Sequence, residues 1–558
     1  MKKYLILVIS FFLLFSKTVR ALEVNSYVNI VNPVRGRTLW QSIESVQRQI
    51  DLITEYKLPS TWLLQYDVLN DDISINLFKK LPANQEVGIL LEVDEKLATD
   101  SYVAYLNGQG SWARADKVLL SGYDPNERKR MIDKVFASFK KVFGVYPVSV
   151  GAWYIDTVSL DYLADKYKIK AVLDVADQYD TDSYGLWGKP WGTTYFPSKL
   201  NSIIPAQNVT DKLDVVKIQW AQRDPYRGYG KTPVDSTYSV QANDYMRHNL
   251  GIDYFHKLAQ IYLLSENKMN QLTVGLEVGQ EGAVYLDEFE RQIKTLIEIG
   301  KKSSLDFVTM AGFSEEFKKV FPKSPPSFFI TADDYENHTI ETYWYSSASF
   351  RIGLMKKDNN LVIRDLVIYK YPYLFDDIYK KDTKATLRRF IPPILDELTR
   401  QNKKLLFSDV IDVHSQRAGE DITLTILDKS SSKHEILLQP DKVILDGRVL
   451  FRLPDTSSAD EKTSNLLVNY WQDKSYSWTG SWRYSFVDKK YYFGLMTSPS
   501  RLIGFKSEFP FLGIYDSPFQ VLIRFKTLPE INLVKMISAN FVNRINNSTI
   551  RLLERIKI

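Results

Sequence analysis

The chain has 558 residues, 44% of them hydrophobic and 25% charged, with a formal net charge of +5. These are the proportions of a globular protein with two or three domains. So small a net charge over this length argues against a nucleic-acid surface, which needs a concentrated basic stripe. The absence of cysteine excludes thiol nucleophiles, thiolate metal sites and disulfides.

The first residues read as an address. MKK supplies positive charge, YLILVISFFLLFS an apolar run, and TVRA small residues before a cut after Ala21. This is the pattern of a secretory signal peptide over residues 1–21, or of an N-terminal anchor if it is retained. The apolar run is shorter than the roughly 20 residues a spanning helix needs. The expectation is a secreted or cell-envelope protein, consistent with a cysteine-free chain large enough to fold without disulfides.

From residue 25 to 322, apolar strand-like runs alternate with helical segments. The runs are SYVNIVNP, STWLLQY, EVGILLEVD, VSVGAWYID, IKAVLDVAD, LDVVKIQWAQRD, QLTVGLEVG and SLDFVTMAG. Between them lie amphipathic stretches such as NERKRMIDKVFASFKKVFG, whose Met131, Ile132, Val135, Phe136 and Phe139 share one helical face. Strand–helix alternation at this rhythm predicts βα units and a parallel sheet, here an α/β distorted seven-stranded (β/α) barrel.

Polar residues recur at the carboxyl ends of these runs: Asn32, Glu92, Asp94, Asp156, Asp174, Asp177, Arg223, Asp224 and Glu277. In a closed parallel barrel, that edge gathers the binding loops. Each acid alone is also a candidate helix cap, but recurrence on one edge predicts a polar cleft. Trp187 and Trp191, in YGLWGKPWGTTYFP, sit in a glycine- and proline-punctuated loop. They are candidates for stacking on sugar rings, as is Trp153.

After SPPSFF the rhythm changes. TIETYWYSSASFRIGLMKKDNNLVIRDLVIYK reads as extended runs joined by a turn, and DITLTILDKSSSKHEILL and KVILDGRVLFRL repeat the design. Asp446-Gly447 is a tight-hairpin signal. Residues 326–528 are therefore expected to form a mainly antiparallel β accessory domain, sandwich-like, interrupted by one helix at DTKATLRRFIPPILDELTRQ. Residues 529–558 are expected to form a basic amphipathic C-terminal helix. It would rest on an anionic membrane surface or dock on the second domain.

The stretch GAWYID, Gly151 to Asp156, resembles the G-x-W-x-x-E element of glycoside hydrolase family 57, in which the Glu is the nucleophile. The wider region FKKVFGVYPVSVGAWYIDTVSLDYLADKYKIKAVL is also similar to polysaccharide deacetylases. Both families share a seven-stranded, distorted barrel, and the likeness runs by order of elements from Val28 to Phe321. It implies Asp156 as a nucleophile and Glu277, in VGLEVGQEG, as general acid/base. Asn32, Glu92, Asp94, Trp153, Asp177, Trp187, Trp191, Arg223 and Asp224 are the candidate substrate contacts.

The sequence departs from both patterns. Asp156 is one methylene shorter than the family 57 Glu, and Glu277 is one longer than its Asp. Sugar deacetylases on similar barrels hold zinc with one Asp and two His, whereas the five histidines here all lie at or beyond His248. His248 and His256 are eight apart, against the spacing of four usual for a helical zinc pair. No metal and no cofactor is expected. Three readings stand. The first is an exported carboxylate-pair glycoside hydrolase or transglycosylase acting on a polysaccharide. The second is a non-catalytic glycan-binding envelope protein on the same barrel, and the third a metal-dependent deacetylase with atypical ligands.

Overall fold

A computed structural model describes residues 25–105, 114–325, 327–369, 381–391, 393, 395–398 and 403–452, with five short strands between 484 and 523. The expected signal segment and C-terminal helix lie outside these residues. Among the described residues, no helix is long and apolar enough to cross a membrane.

All eight strand-like runs of the first half become strands: β1 (Asn25–Val34), β2 (Ser60–Leu64), β3 (Gln85–Leu90), β4 (Ser149–Gly151), β5 (Ala171–Val175), β8 (Val216–Trp220), β9 (Met269–Val274) and β10 (Leu305–Phe307). Between β5 and β8 the chain inserts a hairpin, β6 (Gln178–Thr181) and β7 (Tyr184–Trp187). Seven parallel strands run around the barrel in the order β9-β1-β2-β3-β4-β5-β8, and β10 lies beside the first residues of β1. One seam is left: among the described residues no ladder joins β8 to β9. The Gln222 side chain spans it, donating to Gln271 O at 3.3 Å and Oε1 at 3.0 Å and accepting from Thr273 N at 3.0 Å. A side-chain amide has one acceptor and two donors, so it substitutes locally for the missing backbone pairs.

The strands are buried nearly throughout, and helices cover the barrel's outside. Helix α1 (Ile43–Glu55) is capped by Ser42, whose hydroxyl accepts from Ser45 N at 3.1 Å. Helix α2 (Pro125–Phe143) buries Met131, Ile132, Val135, Phe136 and Phe139, the face expected from its spacing. Its entry is fixed by Glu127 accepting from Asp124 N at 2.9 Å, and its exit by Gly144 at φ 79°. These are the signatures of a capping box and an αL C-cap. Each fully buried aliphatic or aromatic side chain on such a face contributes about 1.5–3 kcal/mol of burial free energy.

The second half is antiparallel, as expected. β11 (Phe328–Asp333), β12 (Glu341–Ser346), β13 (Phe350–Lys357) and β14 (Asn360–Ile368) form one meander. A second sheet runs from β18 (Val410–Ala418) through β22 (Arg448–Arg452). Residues from both, including Tyr345, Leu354, Leu424 and Ile436, share one apolar core, the packing of a sandwich. Asp446 and Gly447 have φ of 47° and 72°, the left-handed pair of a two-residue hairpin.

Among the described residues, the helix expected at residues 382–401 is absent. Leu387–Phe390 and Leu395–Asp396 are strands β15 and β16. Pro392 and Pro393 sit in mid-segment, where a helix would lose backbone donors and clash. β15 instead pairs in parallel with β7 and so attaches the second domain to the barrel's inserted hairpin.

That junction also holds residues the sequence assigned to substrate. Trp187 is fully buried and donates from Nε1 to Asp396 Oδ2 at 2.9 Å. Trp191 stacks on Trp344 of β12, with ring centroids 4.3 Å apart and planes at 11°. Asp177 accepts from Lys189 N at 2.9 Å and from Arg351 Nη1 at 2.6 Å, while Arg351 also grips Asp365 with two bonds of 2.8 Å. The loop carrying these residues runs beneath the second domain instead of over the surface, so all three serve the domain interface and none is available for stacking or binding a glycan.

Candidate functional site

A cleft of about 280 Å3 opens at the carboxyl ends of β4, β5, β8 and β9. This is the edge where a parallel barrel gathers its functional loops. Its floor includes Trp153 beyond β4, Val175 and Trp220 at the ends of β5 and β8, and Glu277 beyond β9. The β6–β7 hairpin supplies Asp182 and Tyr184, and residues 236–247 and 280–285 complete the wall.

Backbone constraints place Glu277. A Cβ on Gly275 would stand 1.7 Å from Val31 O, and one on Gly279, already at φ 77°, would stand 2.6 Å from the Trp40 ring. Glycine at both positions lets the loop lie against β1 and turns Glu277 toward Arg35. The Arg35 guanidinium binds Glu92 at 2.6 and 2.9 Å and Glu277 at 2.5 Å, and its charge lies 5.7 Å from the centroid of the Trp153 ring. Burial works against the charge of Arg35, but Glu277 and Glu92 hold its pKa well above the usual arginine value. Burial raises Glu277; Arg35 opposes the rise and Glu92 adds to it.

One turn onward Glu281 accepts from Glu277 N at 3.0 Å and from the Asn243 side-chain amide. Burial, and then Glu277, push its carboxyl well above the ordinary glutamate range. On the facing wall Arg223 donates to Asp244 at 3.2 Å, to Ser236 O and to Gln178 Oε1. Asp182, exposed at the hairpin tip, and Ser183 have φ of 50° and 69°. Two successive non-glycine residues in this region are strained, a cost that concentrates at functional sites.

Four polar atoms of cleft residues are buried without any protein partner: Trp153 Nε1, Tyr184 Oη, Arg223 Nε and Asn243 Oδ1. A buried polar group left unpaired costs about 1–3 kcal/mol. Three donor-capable groups and one acceptor, all on residues that line one cavity, describe the chemistry that would suit it: a molecule rich in groups that both donate and accept.

The cleft includes Trp153, Arg223 and Glu277 of the sequence candidates, and the others lie elsewhere. Asp156 does not line it. It caps the helix α3 (Thr157–Tyr167), accepting from Ser159 N at 3.0 Å and Ser159 Oγ at 2.6 Å, and it pairs with buried Arg128 at 2.9 Å. Both oxygens are occupied, so Asp156 does not face Glu277 as a nucleophile would. Asn32 is fully buried, accepting from Gln49 Nε2 at 3.0 Å. Glu92 stands behind the cleft on Arg35. Asp94 caps the helix Glu95–Asp100, accepting from Leu97 N at 2.6 Å. Asp224 does not pair with Arg223; it accepts from Tyr226 N and Arg227 N at 2.8 Å each and from Tyr254 at 3.0 Å.

Arg35, Tyr184, Asn243, Asp244 and Glu281 were not singled out from sequence. Glu277 and Glu281 do stand four apart across a helix start, and Arg35 follows the end of the first strand run, but neither spacing is distinctive alone.

Deacetylase barrels imply a metal ion, and the donor set here does not fit one. Among the described residues no group of three His, Cys, Asp or Glu side chains is placed to hold a metal. Glu92 and Glu277, the carboxylates best placed at the strand ends, are already held by Arg35.

No family model matches the chain, and no curated protein matches it. Among solved structures it is similar to a candidate glycoside hydrolase/deacetylase from Parabacteroides distasonis, with 17% identity, a TM-score of 0.51, and coverage of 66% of this chain and 91% of that one. A candidate polysaccharide deacetylase from Mycobacterium smegmatis gives 13% identity and a TM-score of 0.32, over 52% and 91% of the two chains. A peptidoglycan deacetylase from Bacillus subtilis gives 12% and 0.25, over 53% and 93%. The likeness is one of fold and rests on the first of these structures.

Proposed function

We propose that this protein recognises a polysaccharide in the cleft at the carboxyl edge of its barrel, as an exported glycan-binding protein of deacetylase-type architecture. The observation that carries the reading is the set of four unpartnered polar atoms on buried side chains whose residues line one cavity. Sugar hydroxyls donate and accept, so a single ring can satisfy Trp153 Nε1, Tyr184 Oη, Arg223 Nε and Asn243 Oδ1 together. The Trp153 and Trp220 rings, 5.7 Å apart, supply apolar wall for a pyranose face. The deacetylase-like barrel supports the same ligand class. Export rests on the pattern of residues 1–21, and contact with a membrane surface on the basic segment 529–558.

The test is calorimetric titration of the full chain with a panel of envelope and storage oligosaccharides. Binding should weaken about tenfold in Tyr184→Phe combined with Asn243→Ala, since Tyr184 Oη and Asn243 Oδ1 have no protein partner to replace the ligand. Absence of binding to every member of the panel would refute the reading.

One observation favours turnover as a second reading. Glu281, with its raised pKa, lies beside Glu277, which is held by Arg35. Carboxyls in unequal environments are the raw material of acid/base chemistry. A hydrolase on this scaffold would use Glu277 with Glu281, because Asp156 is committed to its helix and Arg128. Release of acetate or of reducing ends, lost in Glu281→Gln, would establish it.

A further inference from the structure

The charges of the cleft do not cancel. Arg35 is committed to Glu92 and Glu277, and Arg223 to Asp244. Two carboxylates lining the cleft, Asp182 and Glu281, have no cation bound to them, against one further lining cation, the exposed Arg247. Arg35 offsets only one of Glu92 and Glu277, so the cleft and the clamp behind it set five carboxyl groups against three cations where water is partly excluded and unbalanced charge is poorly tolerated. An anionic ligand would add to that excess, and a neutral one would leave it in place.

We infer that the cleft takes an amino sugar with its amine free, the ligand's ammonium lying between Asp182 and Glu281 while its hydroxyls satisfy the unpartnered groups of Trp153, Tyr184, Arg223 and Asn243. The inference rests on the glycan reading and narrows it. The acids alone would not point to a ligand. The four orphaned atoms, on side chains that are each at most 5% exposed, do so independently. The cleft, at about 280 Å3, is just below the usual range for small-ligand sites, roughly 300–1,000 Å3, which suits one sugar ring in the floor and its neighbours in the mouth.

An ammonium also has a proton consequence. Glu281 faces Glu277, Asp244 and Arg35, and receives bonds from Glu277 N and Asn243. Asp182 faces Asp244, Arg247, Arg35 and Arg223. Burial and then Glu277 raise the Glu281 pKa, and a cation bound beside it stabilises the carboxylate and lowers that pKa again, so protons are released to solvent as the ligand enters. Affinity rises with pH until the ligand amine itself deprotonates.

The experiment titrates the full chain with three β-1,4 tetramers of equal length, made of glucosamine, N-acetylglucosamine and glucose. It is repeated in buffers of different ionisation enthalpy. The glucosamine tetramer should bind about tenfold more tightly than either of the others, the worth of one partly buried ion pair, and should release protons. In Asp182→Asn that preference should fall toward unity, and raising the salt should reduce it in the unmodified protein. Equal or tighter binding of the acetylated tetramer, or proton uptake, overturns the ammonium inference and leaves the glycan reading standing. No binding of any tetramer defeats both.

Discussion

Arg35 Nη1 lies 2.5 Å from Glu277 Oε2, while the same guanidinium grips Glu92 from its other side. A residue at the end of β1 thus ties β3 to β9 across the barrel mouth. Arg35 and Glu92 are at most 3% exposed in their side chains. Breaking such a pair by removing one partner leaves buried charge behind, at a cost of about 3–5 kcal/mol.

Arg35→Met should therefore lower unfolding free energy by about 3–5 kcal/mol at pH 8. The sign with pH follows from the carboxylates left behind. Burial raises the folded pKa of Glu277 and Arg35 opposes the rise; without the guanidinium that value lies above the unfolded one, so the folded state binds more protons. The deficit is then largest at high pH and shrinks as pH falls toward 5. Urea denaturation at both pH values measures it. A loss under about 1 kcal/mol, or one independent of pH, would mean the clamp is not structural.

Asp156 separates the two roles that sequence could not tell apart. Its carboxylate caps the helix Thr157–Tyr167 and pairs with Arg128, itself 1% exposed. Asp156→Asn keeps an acceptor for the cap but removes the charge facing Arg128, so about 3 kcal/mol of stability should be lost. Affinity for any oligosaccharide that binds should be unchanged per folded molecule. A selective loss of affinity with stability intact would return Asp156 to the site.

The barrel was legible because parallel strands buried on both faces leave continuous apolar runs, and helical faces leave a 3.6-residue period. The cleft was legible only as an edge. Strand-end polarity located that edge, but a carboxylate capping a helix and one facing a ligand occupy the same sequence position, as Asp156, Asp94 and Glu277 show. The decisive residues at the cleft, Asn243 in the single helical turn Ala242–Tyr245 and Glu281 just before the helix Gly282–Lys302, are placed by tertiary packing that no local spacing announces. Trp187 and Trp191 failed for a related reason: a loop rich in Gly and Pro reads as surface, and only the second domain's placement buries it.

Trp187→Phe tests that burial. The substitution keeps most of the ring but removes the Nε1 donor to Asp396, which also accepts from Tyr229 at 2.7 Å and Leu398 N at 2.8 Å. With part of the carboxylate's solvation gone, stability should fall by about 1–3 kcal/mol. Glycan affinity should be unaltered. Weakened binding without destabilisation would show that Trp187 contacts ligand after all.

Asp67 and Asp94 supply a pH dependence of opposite origin to the usual salt-bridged acid. Asp94 Oδ2 accepts from Asp67 N at 3.2 Å, and Asp67 fits beside β1 only because Gly36 has no side chain; a Cβ there would be 1.6 Å from Asp67 Oδ2. Burial chiefly raises Asp67 to about 6. Burial and then the Asp67 charge raise Asp94 to about 7. Both folded values exceed the unfolded aspartate value of about 3.9, so the folded state holds the extra protons. Their stabilising contribution is complete below about pH 4 and is lost as pH rises through 6 to 7. Asp94→Asn retains a side-chain acceptor for Leu97 N, asparagine being as good a cap as aspartate, and removes the repulsion. This variant should be more stable than the parent at pH 8 by on the order of 1–2 kcal/mol. The gain should disappear near pH 5, where the parent is already protonated. Thermal or urea unfolding of both proteins across that range decides it, and a variant no more stable than the parent at pH 8 would show that the two acids do not resist ionisation in the fold.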